Sequence, residues 1–119
     1  MMQLLLVAIG GAFGSVARYG VGMAAASWLG LAFPWGTLVV NVLGGLAIGV
    51  LAARVGPAEE NMRLLLGVGA LGGFTTFSAF SLDALRLMHR EPAHALFYVA
   101  ASLILSLGAC GLGLMLGRP

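Results

Sequence analysis

At 119 residues the chain has room for one domain. With 61% hydrophobic and 8% charged residues and a mean hydropathy of +1.05, it is too apolar for a soluble core of that size. Six arginines, no lysine and four carboxylates give a net charge of +2; they are scattered, which excludes a nucleic-acid footprint. A lone cysteine, Cys110, excludes an intrachain disulfide and a cysteine-based metal site. The class is integral membrane protein, all-α.

In chain order, Met1 to Ala17 carries no charge and no basic start, and hydrophobicity continues past Arg18 to about Leu31. This reads as a retained first span rather than a cleaved leader. Gly10 and Gly14 form a GxxxG pair beside Gly11 and Ser15, which predicts close contact with a neighbouring helix. A turn over 30–36 follows, with Pro34 at a helix start and Trp28 and Trp35 suited to the membrane interface. The second span is expected over 35–53. On it Thr37, Asn41 and Gly45 share one face, and Gly49 extends the small stripe. A polar connection over 54–63 leads to a third span, expected over 62–88.

The uncharged run Leu64–Leu82 is long enough to cross a bilayer, yet its middle is a poor helix. Gly72-Gly73 removes backbone bias, and Thr75, Thr76, Ser78 and Ser81 offer side chains that compete for backbone hydrogen bonds. One reading is a span broken near its centre, where freed carbonyls and a half-helix N-terminus form an ion site. The other is a packing face of small residues in an unbroken helix. Asp83, Arg86, His89, Arg90 and Glu91 mark the exit to water, with Pro92 as the stop. Asp83 and Arg86 are spaced for an ion pair, and His89 and His94 read as solvated. The fourth span is expected over 93–116, with Tyr98, Ser102 and Ser106 in a single polar line.

Four spans place both termini on one side, with Arg54, Arg63 and Arg118. Arg86 and Arg90 lie on the other, joined by Arg18 if it reaches the surface. This balance predicts insertion in both orientations and pairing of opposed copies. An enzyme is not expected: the spans hold no carboxylate pair, metal-ligand spacing or nucleophile–base set. What remains at membrane depth is a set of uncharged donors: Asn41, Thr37, Ser78, Ser81, Tyr98, Ser102 and Ser106. Such donors can solvate an anion without a fixed charge that traps it. Phe77 and Phe80 share a helical face, and aromatic edges carry positive partial charge.

Three motifs in this order, Gly10-Gly11-Ala12-Phe13-Gly14-Ser15-Val16-Ala17-Arg18-Tyr19, Gly36-Thr37-Leu38-Val39-Val40-Asn41 and Gly72-Gly73-Phe74-Thr75-Thr76-Phe77-Ser78-Ala79-Phe80-Ser81, resemble the Fluc (CrcB) family of small prokaryotic fluoride channels. The resemblance covers essentially the whole chain, residues 1–119, as one four-helix transmembrane channel domain. It implies an antiparallel, dual-topology homodimer in the inner membrane, with two pores passing fluoride passively to relieve its toxicity. It also implies a structural sodium ion on the backbone carbonyls of Gly72 and Thr75. Phe77 and Phe80 would be the pore phenylalanines, Asn41 the pore amide, and Arg18 a vestibule residue. Thr37, Ser78, Tyr98, Ser102 and Ser106 would supply pore hydroxyls. Ala79 departs from the family pattern, which has a threonine there.

The chief rival is a proton-coupled exporter of the small multidrug resistance type, also an opposed dimer of four-helix chains. That mechanism needs a titratable carboxylate deep in a span, whereas Asp83 sits at an end. A fluoride/proton antiporter meets the same objection. An assembly subunit that transports nothing would leave the aligned donors without a use.

Overall fold

A computed structural model describes residues Met1–Pro119. Helix α1 spans Met2–Leu29 and α2 spans Trp35–Arg54. Helix α3 covers 60–74, most of it (Arg63–Leu71) wound as a π-helix. Helix α4 spans Ser78–Arg90 and α5 spans Pro92–Leu116. There are no strands. Four stretches are long and apolar enough to cross a membrane, α3 and α4 together making the third. The long axis of 48 Å exceeds the roughly 30 Å hydrocarbon core.

Residue chemistry explains the ends. Gly30, at φ 83°, is the one residue in the left-handed region, and its N–H closes α1 on the Ala26 carbonyl at 3.1 Å. Pro34 precedes α2, and Pro92 opens α5, where a missing N–H leaves nothing unpaired. Pro92 therefore both stops α4 and starts α5.

Two glycine seams hold the bundle. On α1, a Cβ at Gly10 would overlap the Leu65 carbonyl and one at Gly14 the Ala70 carbonyl. The GxxxG pair thus meets α3 backbone to backbone, as its spacing predicts. On the other side, Gly49 of α2 faces the Cys110 carbonyl and Gly113 of α5 faces Leu46. Helix α3 packs on α1, whereas α4 packs on α5. The third span changes partners at its break. Around α4, Leu38, Ala84, Leu87, Ala95 and Tyr98 form a buried cluster with Phe80 and Phe33 against it.

The break is present, but it does not fall on the paired glycines. Gly72 and Gly73 are helical, and the backbone turns extended at Thr75 (φ −85°, ψ 161°) before α4 begins at Ser78. Gly73 is instead a contact residue: its missing Cβ admits the Gly11 carbonyl and the Ser15 hydroxyl.

Candidate functional site

The break at 75–77 is held by side chains from two other helices. Asn41 of α2 donates through Nδ2 to the Thr76 carbonyl at 3.0 Å, and its Oδ1 accepts the Thr76 N–H at 2.9 Å. One amide therefore satisfies both backbone groups of the central residue. Arg18 of α1 donates through Nε to the Gly73 carbonyl at 3.1 Å. The Thr75 hydroxyl donates back to Leu71 O at 2.9 Å, and the Thr76 hydroxyl accepts the Ala79 N–H at 3.1 Å, capping α4. Gly44 on α2 makes room for Thr75, whose Cγ2 occupies the space a Cβ would take.

These diversions leave carbonyls open. The Thr76 N–H that would continue the helix to Gly72 O goes to Asn41, and the Ala79 N–H that would reach Thr75 O goes to Thr76. The carbonyl oxygens of Gly72 and Thr75 accept no hydrogen bond. Gly72 is exposed on the surface of the single chain.

Beside the break lies a cavity of about 450 Å³. Asn41, Gly44 and Gly45 line it from α2, Gly72, Thr75, Thr76, Phe77 and Phe80 from the broken span, and Ser102 and Ser106 from α5. Its mouth is marked by Phe77, 77% exposed. From there the rings run inward: Phe77 to Phe80 at 5.7 Å between centroids, and Phe80 to Tyr98 at 5.3 Å. Tyr98 is fully buried.

The hydroxyl oxygens of Tyr98, Ser102 and Ser106 are all buried and none has a hydrogen-bond partner. A serine in a membrane helix can ordinarily donate to a carbonyl one turn back, and these do not. Each unpaired buried hydroxyl costs about 1–3 kcal/mol. Three on one line, two of them facing the same cavity, are a standing cost unless something accepts from them.

The remaining expected residues lie apart. Thr37, one turn before Asn41 on α2, does not line the cavity; its hydroxyl donates to Asp83 Oδ2 at 2.7 Å. Asp83 therefore pairs with Thr37 across helices rather than with Arg86, because packing brings α2 nearer than the next turn of its own helix. Ser78 is exposed, its Oγ 3.2 Å from the Thr76 hydroxyl. Arg18 is half-buried and borders a separate hollow of about 340 Å³ with Thr37, Thr76 and Ala79. His89 and His94 are exposed, His94 against Glu91. Thr76 organises the site as one of the hydroxyls that compete for backbone hydrogen bonds, as expected of it, whereas Gly44, which organises it too, carried no role in the sequence reading.

The model of the family described as "CrcB-like protein, Camphor Resistance (CrcB)" matches residues 5–114. The chain belongs to the CrcB family. Among its curated CrcB relatives, a protein of Caulobacter sp. (strain K31) is 54% identical, the match covering 99% of this chain and 96% of that one. A protein of Rhizobium etli is 56% identical over 99% and 98%, and one of Phenylobacterium zucineum 50% identical over 99% and 97%. All three are named fluoride-specific ion channel FluC. Family and spans together make this CrcB chain a multi-pass membrane protein.

Proposed function

We propose that the chain is a channel that lets fluoride leave the cell down its gradient. The observation that carries the reading is the line of unpartnered hydroxyls at Tyr98, Ser102 and Ser106, beside a cavity that ends at two phenylalanines. Its relatives' printed name, fluoride-specific ion channel, supports the choice of ion. A dehydrating fluoride needs several donors at short range, and hydroxyl hydrogens supply them without a fixed positive charge that would hold the ion. Ring edges of Phe77 and Phe80 add positive partial charge at the mouth. The N-terminus of α4 opens at the break and adds the positive end of a half-helix.

Two opposed copies make the working unit. Arg18 is engaged with Gly73 in the interior, so it drops out of the surface tally. Arg54, Arg63 and Arg118 then face Arg86 and Arg90, almost no orientation bias. Each copy presents an open cavity with an exposed Phe77 and Gly72, which a second copy covers to give two pores. The carbonyls of Gly72 and Thr75 fit a hard monovalent cation: they are uncharged oxygens without partners, at a break. Sodium held there by both copies supplies positive charge that offsets the cost of an anion at bilayer depth.

Liposomes loaded with fluoride and containing the purified protein test the reading. Efflux should follow the fluoride gradient, persist when the proton gradient is collapsed, and be absent with chloride. Efflux that stops when protons cannot move would point to an antiporter, and equal chloride flux would remove the selectivity.

A further inference from the structure

The end of the bundle where α1 meets α2 and α4 meets α5 carries a further hollow, of about 560 Å³, that shares no lining residue with the cavity at the break. Phe33, Trp35 and Phe97 line it together with Arg90, Glu91 and His94. We propose that this corner docks the headgroup of one zwitterionic phospholipid bearing a quaternary ammonium. Its phosphate would lie on Arg90 and its ammonium between the aromatic rings and Glu91.

Position comes first. The segment 30–34 and the α4–α5 junction lie at one end of a membrane bundle, joined by the Arg90 Nη2 donation to Ala32 O at 3.4 Å. Charged and aromatic residues concentrate there, as they do at a lipid–water boundary. Phe33 stands 4.6 Å from Trp35 with the planes at 49°, and 6.0 Å from Phe97 at 53°. Rings tilted in this way form a corner rather than a stack. Phe97 is 61% exposed, so the chain itself does not close that corner. A cation within about 6 Å of such rings is attracted by their faces. A quaternary ammonium is the cation most suited to it, being weakly hydrated and without donors that need partners.

Charge comes second. Arg90 and Glu91 are adjacent and opposite in sign, both exposed, and both line the hollow. Arg90 has five donors and uses one, at the long limit of a hydrogen bond. A zwitterionic headgroup presents the complementary pair, a phosphate next to a cation. Glu91 Oε2 is paired with His94, which leaves Oε1 free; an anionic lipid would answer Arg90 but put no cation on that oxygen or on the rings.

The test uses Trp35 as the reporter, with Trp28→Phe removing the only other tryptophan. The full-length protein is reconstituted in phosphatidylglycerol vesicles containing a small fraction of phosphatidylcholine with a spin label on its ammonium. Trp35 fluorescence should be quenched with a roughly twofold to fivefold preference over the mole fraction, the range expected of an exposed cation–π site. Unlabelled phosphatidylcholine should restore the fluorescence, and extra phosphatidylglycerol should not. Arg90→Gln with Glu91→Gln, or Phe97→Leu, should bring quenching down to the mole-fraction level while helical content and elution volume stay unchanged. Quenching that tracks mole fraction in the protein carrying only Trp28→Phe overturns the proposal. So does displacement by both lipids alike, or preference that survives the Arg90/Glu91 change.

Discussion

At Asn41 a single amide closes both backbone groups that the break leaves open at Thr76. Asn41→Ala removes the acceptor for a half-buried N–H, so it should cost about 1–3 kcal/mol of stability as well as flux. Thermal unfolding in detergent beside efflux would read both, and an unchanged midpoint would remove Asn41 from the support of the break. Phe77 should behave oppositely. It is 77% exposed at the mouth of the cavity, so Phe77→Ile should change the stability of the chain by no more than about 0.5 kcal/mol, as exposed positions generally do. Fluoride flux should fall sharply in the same variant. Equal flux would place the ring outside the path. The shared face of Thr37 and Asn41 was legible from their i,i+4 spacing, and both reach the third span, but residue type did not give their separate partners there, Asp83 on α4 and Thr76 at the break.

Among the elements, the third span divides the work between its halves. Helix α3 is fastened to α1 by glycine contacts, and α4 is fastened to α5 by side-chain packing. The seams set a clear contrast in tolerance. Gly14→Leu would drive a side chain into the Ala70 backbone, and should cost at least the 1–3 kcal/mol usual for overpacking. Gly108 has nothing within 4 Å of a Cβ, so Gly108→Leu should leave the fold of one chain intact. Comparing the two by unfolding in detergent checks the seam directly; equal losses would contradict it. The four spans themselves were legible because hydrophobic length and proline placement decide them. Their observed limits, such as Trp35–Arg54 and Pro92–Leu116, follow that pattern. The position of the break was less legible. Gly72 and Gly73 look like the weak point, but in a membrane helix glycine serves close packing, and the extended turn goes to Thr75, where Asn41 and the Thr76 hydroxyl replace the lost backbone bonds. The π winding of Arg63–Leu71 has no signature in residue type; Gly69, within it, meets Gly10 of α1.

For the whole molecule, the proposed pairing of opposed copies makes a prediction from surface charge. Surface arginines at the two ends, Arg54, Arg63 and Arg118 against Arg86 and Arg90, give the insertion machinery little to choose between. A cysteine placed at Pro119, in a Cys110→Ala background, should be labelled by an impermeant reagent in about half of the molecules on intact cells, as a near-zero arginine bias predicts. Labelling of all copies or none would rule out opposed insertion, and with it the proposal of a cation shared by two copies at Gly72 and Thr75. The charge balance was readable from the chain alone, apart from Arg18, whose placement beside Gly73 depends on the fold.

The most direct measurement compares fluoride efflux from liposomes for wild type and for Ser102→Ala with Ser106→Ala, alongside their thermal stability. Because both hydroxyls are buried without partners, their removal should leave stability equal or raise it by about 1 kcal/mol, while fluoride efflux drops about tenfold or more, a barrier increase of at least about 1.4 kcal/mol. Flux at the wild-type rate with a stability loss would contradict the account, since it would make these serines structural partners rather than donors to a passing ion.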